Sequence, residues 1–99
     1  MDLESVTPYR SVETKLAKAR LFHVVGHFLI MNRIPRLAET ALRTSLAIYD
    51  SLPGFKKHRI PLIAELATAC RMQGRHTEAE RLEAQLQGSG PGHGVIAIV

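Results

Sequence analysis

The chain has 99 residues, 45% of them apolar, with 13 basic against 9 acidic, which fits one small, mildly basic domain. Its single cysteine, Cys70, excludes an internal disulfide and any multi-cysteine metal motif. No basic-then-apolar leader opens the chain and no apolar run approaches about 18 residues, so a cytoplasmic protein with no membrane partner is expected.

Trp is absent and Leu and Ala dominate, which favours an all-α fold packed through small contacts. Residues 1–7 read as an irregular lead-in. Pro8 then suits a first helical position, where a missing N–H costs nothing. A long helix follows from Tyr9 to about Met31, with Val12, Leu16, Ala19, Phe22, Val25 (or Gly26) and Leu29 as its buried stripe. Within it, "FHVVGH" sets His23 and His27 four apart, on one side of the helix, where they could share an ion. Val24 stands where a zinc protease needs its glutamate, and no acid lies within one turn. Glu65 or His58 would join the pair only through tertiary approach. No metal or cofactor is expected.

"NRIP" ends this helix and Pro35 begins a second, buried through Leu37, Ala38, Ala41, Leu42, Ser45, Leu46 and Tyr49. Pro53-Gly54 breaks it, and "KKHR" reads as a loop leading to a third helix at Pro61. That helix carries Ile63, Leu66, Ala67 and Cys70. Gly74 suits the left-handed position after its C-terminus, and Thr77 with Glu80 fits a capping box for a fourth helix carrying Ala79, Leu82 and Leu86. Residues 88–99 form a Gly-rich linker ending in the apolar segment "VIAIV".

An internal repeat links these elements. At an offset of 41 residues, Phe22, Val25, Gly26 and Leu29 fall on Ile63, Leu66, Ala67 and Cys70, while Arg33 falls on Gly74 and Ala38 on Ala79. This resembles the tetratricopeptide repeat, whose pattern is large-x-x-Leu-Gly-x-x-Tyr, then Ala, then a large and a small residue. The long connection "LAIYDSLPGFKKHRIP" makes it most similar to the longer-period kinesin-light-chain type. The departures are Cys70 in place of the aromatic, Glu83 at a position usually apolar, and no proline after the second copy. The resemblance implies two antiparallel helix pairs, at about 19–52 and 60–87 within a helical domain spanning 8–87.

It also implies a concave groove that binds a peptide or partner protein. Arg20, His23, Val24, His27, Ile30 and Met31 would line it from the first copy, and Glu65, Thr68, Arg71 and Met72 from the second. Pro61 and Ala64 would join them from the second copy. Two repeats leave apolar ends uncovered, so self-association is also expected. Catalysis is not, since no nucleophile, base and orienting group stand in recognisable relation. Cys70 reads as core filler. Ala97, Ile98 and Val99 with the terminal carboxylate form a candidate tail ligand for a partner's groove or sheet edge. The alternative is a basic bundle contacting nucleic acid, which requires Lys15, Lys18, Arg20, Arg33 and Arg36 to converge on one surface.

Overall fold

Two short turns, each with one residue in the left-handed region, fold the chain into a pair of helical hairpins. The computed structural model describes residues 8–89, with side chains from 11 to 87. Helix α1 spans Pro8–Met31 and α2 Pro35–Asp50. A 3-10 turn over Lys56–His58 leads into α3, Arg59–Met72, and α4 spans His76–Ser89. No strand occurs among the described residues, and the fold is all-α.

The turns match at the 41-residue offset in three backbone bonds, although Asn32 N–H bonds back to Phe28 C=O and its counterpart Gln73 to Cys70 C=O, one residue nearer. Arg33 N–H donates to Ile30 C=O at 3.0 Å, and Gly74 N–H to Arg71 C=O at 3.0 Å. Ile34 N–H donates to Leu29 C=O at 2.9 Å, as Arg75 does to Cys70 C=O at 2.9 Å. Ala38 N–H then reaches Ile34 C=O at 3.1 Å, and Ala79 N–H reaches Arg75 C=O at 3.1 Å. The residues that allow this are unlike. Gly74 has φ +79° at no steric cost, whereas Arg33 takes φ +63° against the clash of its own Cβ.

Small residues set the closeness of the hairpins. A Cβ on Gly26 would lie 2.6 Å from Cγ and Cδ2 of the fully buried Leu42. Glycine therefore lets α1 approach α2. Ser45 is also fully buried, and its hydroxyl donates to Ala19 C=O at 2.6 Å, which satisfies the only buried polar side chain among the described residues. The continuous core joins Ala19, Leu42 and Tyr49 to Leu62, Ile63, Leu66, Ala67, Cys70, Ala79 and Leu82. Between the hairpins, Tyr49 stacks on His58 with ring centroids 4.8 Å apart, Phe55 tilts against both, and Arg59 pairs with Asp50 at 2.8 Å.

Several expectations need correction. Val12 and Leu37 are exposed rather than buried, and of Val25 and Gly26 it is Gly26 that is buried. Helix α1 turns Ala19 and Gly26 toward α2, α2 turns Ala38, Ala41 and Leu42 inward, and among the described residues no neighbour covers the opposite side of α1. Leu62 and Ala69 are buried beyond the expected stripe, since α3 packs against α2 and α4 on two flanks. "KKH" is a 3-10 turn, and α3 begins at Arg59 rather than Pro61. Thr77 lies inside α4, which starts at His76, so the carbonyl of Arg75 stands before that helix in place of a threonine cap. Helix α4 also runs two residues into the expected linker, to Ser89. The lead-in 1–7 and the tail residues Ala97, Ile98 and Val99 lie outside the described residues.

Candidate functional site

The packing of the two hairpins brings one face of α1 against one face of α3, and three side chains meet there. Four residues along a helix is slightly more than one turn, so His23 and His27 project side by side from α1. Opposite them, Glu65 presents a single carboxylate oxygen to both rings. Its Oε2 lies 3.3 Å from His23 Nε2 and 3.4 Å from His27 Nδ1. The other oxygen, Oε1, is buried and has no hydrogen-bond partner. His23 and Glu65 are about a quarter exposed, whereas the His27 side chain is 58% exposed and opens the cluster to solvent.

The other expected groove residues do not all join them. Val24 and Met31 continue the α1 face outward and are about two-thirds exposed, and Arg20 is exposed beside them. Ile30 instead packs against the core. On α3, Thr68 is exposed and its hydroxyl donates back to Ala64 C=O, while Met72 is half-buried. Arg71 is exposed, and its guanidinium is taken by Glu83 of α4.

Two features escaped the sequence reading. The first is an apolar face on α1, formed by Leu21, Val24, Val25, Phe28 and Met31, all exposed. Their spacings of three and four make a second stripe opposite the buried one. That stripe is legible in the sequence once the first is assigned. The second is an ionic clamp between the hairpins. Arg75, in the second turn, grips Glu39 of α2 with both terminal nitrogens at 2.7 and 3.1 Å, and its Nε donates to Glu78 at 3.0 Å. Arg43 bonds Glu39 at 2.9 Å and Glu78 at 2.6 Å, and Gln73 donates to Glu39 at 3.0 Å. These donors, Arg75 foremost, hold the Glu39 carboxyl down at about 2 and lower that of Glu78. The i,i+4 pair Glu39–Arg43 was readable from spacing, but the reach of Arg75 across the hairpins was not.

Cys70 sits behind this clamp, and burial pushes its thiol up, away from the reactive thiolate. Ligand atoms of Glu39, Cys70 and Glu78 lie within 4.8 Å of one another. Both carboxylates are already neutralised by Arg43 and Arg75, which leaves them no charge to offer an ion.

On the far flank of α1, an open cleft of about 700 Å³ is lined by Lys15, Lys18, Thr40, Arg43, Ala47 and Ile48, among others. Arg20 is absent from it: two residues past Lys18 is about 200° around a helix, nearly the opposite side. No helix among the described residues is long and apolar enough to cross a membrane. No family model, no curated protein and no solved structure matches the chain.

Proposed function

We propose that this chain is a non-catalytic interaction module of the helical-repeat kind, binding a peptide or partner protein along the groove side of α1 and its apolar continuation. The observation that carries this reading is the uncovered stripe Leu21, Val24, Val25, Phe28 and Met31, with Phe28 65% and Met31 67% exposed. Contiguous exposed apolar surface on a small soluble domain marks a place where another molecule sits. Beside it stand Arg20, His23 and His27, which supply polar contacts to orient a bound chain. Met31 adds a side chain that adapts to varied partners.

The polyanion reading has less support. Arg20 and Lys18 point to opposite flanks, and Arg43, which lines the basic cleft, is engaged by Glu39 and Glu78.

Peptide display against the folded protein, followed by calorimetry of an enriched peptide, tests the proposal. Val24→Asp should weaken that peptide at least tenfold with helicity unchanged, and Arg81→Glu, on α4, which packs against α3 and not α1, should not. Binding should also survive a rise in salt that strips a polyanion. If no peptide is enriched, or if Val24→Asp binds as wild type does, the reading fails.

A further inference from the structure

We propose that the apolar stripe of α1 seats one amphipathic helix of a partner protein, its apolar face bracketed by Asp or Glu. This rests on the interaction-module reading and names the occupant. The comparison of the hairpins supplies the shape. Leu21, Val25 and Phe28 stand 41 residues before Leu62, Leu66 and Ala69, and all three of the latter are fully buried. Helix α3 buries them because it has a helix on each flank, α2 and α4. Among the described residues α1 packs along α2 and touches α3 only at its edge, so its matching flank lacks a helix. Residues 21–31 rise about 15 Å, close to three turns, which is the reach of a short helix.

The charges supply the chemistry. Lys18 and Arg20 stand about 200° apart around α1, and the longer arc between them holds the buried Ala19 and Gly26. The remaining arc of about 160° holds Leu21, Val24, Val25, Phe28 and Met31, so a cation borders the stripe on either side. Arg33 stands at its far end. All three cations are exposed and have no ion pair among the described residues, whereas Arg43, Arg59, Arg71 and Arg75 each hold an acid. Acids flanking an apolar stripe on the partner complement that pattern, and basic competitors are repelled. A second copy of this chain brings the same cations, and its α4, open on one flank, exposes no large apolar residue among those described. An anionic bilayer would also reach Glu13, an exposed acid in the same arc, which a helix seated on 21–31 does not.

Synthetic peptides of about 18 residues, long enough to hold a helix, serve as probes in calorimetry against the full chain. One carries a leucine stripe at helical spacing with Glu on both flanks. A second has Lys in place of every Glu, and a third has the Glu flanks and a proline at its centre. The Glu-flanked helix should bind one per chain, at least tenfold more tightly than either twin. Lys18→Glu combined with Arg20→Glu should reverse the preference for Glu over Lys, while Arg81→Glu on α4 keeps it. Circular dichroism checks that these variants stay helical, and amide shifts on binding should centre on 21–31. Equal affinity for the Lys twin or the proline twin, or no binding at all, overturns the proposal. So does a wild-type dimer in sedimentation that Val24→Asp dissociates, or binding to phosphatidylserine vesicles in place of the peptide. Display that still enriches an uncharged or extended peptide would leave the interaction module standing without this occupant.

Discussion

Ile63, Leu66 and Cys70 of the second hairpin are buried, whereas Phe22, Val25 and Leu29, at the same repeat positions in the first, keep part of their surface in water. The turns of the two hairpins share three backbone hydrogen bonds at the 41-residue offset, and a small residue, Gly26 or Ala67, occupies the same buried place in each. The difference comes from position in the stack. Among the described residues, helix α3 has α2 on one flank and α4 on the other, while α1 packs along α2 and touches α3 only at its edge. A repeat pattern therefore specifies which residues can pack, and the neighbours decide which of them do.

The sharpest way to break that comparison is to truncate equivalent side chains. Leu66→Ala should destabilise the protein by about 2–5 kcal/mol, the range for emptying a filled core site. Val25→Ala, 41 residues earlier, should cost less than about 1 kcal/mol because its site is 39% exposed. Chemical denaturation of both variants gives the two values, and equal losses would mean that α1 has a covering neighbour.

Gly26→Leu comes next, with an expected loss of about 3 kcal/mol, the upper end of ordinary overpacking, because its first added carbon already meets Leu42. A melting temperature unchanged by it would refute the close approach of α1 and α2. Ala67→Gly, at the matching position, should cost about 1 kcal/mol through helix propensity.

Acid probes the clamp that ties the hairpins together. Glu39 is held at about 2, below its ordinary 4.5, mainly by Arg75. A carboxyl whose folded value is depressed stabilises the protein fully above the ordinary value and progressively less as the pH falls toward the folded one. Stability should therefore decline between about pH 4.5 and 2, and Glu39→Gln should flatten that decline in denaturation midpoints measured across the range. A variant as acid-sensitive as wild type would place the origin elsewhere.

The smallest effect should come from the turns. Arg33→Gly relieves a left-handed backbone and should stabilise by about 1 kcal/mol, while Gly74→Ala imposes the same strain and should destabilise by about as much. Thermal melts that move both variants in one direction would contradict the equivalence of the turns.

The parts legible in the sequence were those that depend on neighbours along the chain. Pro35 and Gly74 marked helix boundaries by backbone chemistry, and the small–large spacing gave the hairpins. Arg33 shows the limit: arginine does not announce a left-handed residue, and only its alignment with Gly74 hinted at one. Periodicity alone leaves Val25 and Gly26 as alternatives for one core position, and only the packing against α2 selects Gly26. The meeting of Glu65 with His23 and His27 joins residues 42 and 38 positions apart, a distance that no local pattern reports. The same holds for Arg75 on Glu39.

Native-state hydrogen exchange tests the central claim most directly, that the second hairpin is closed by its neighbours and the first is half-open. Amides of α3 over 62–70 should exchange slowest, near the rate set by global unfolding. Those of α1 should exchange measurably faster, although α1 is the longer helix at 24 residues against 14. Equal protection of the two helices, or slower exchange in α1, would contradict the account.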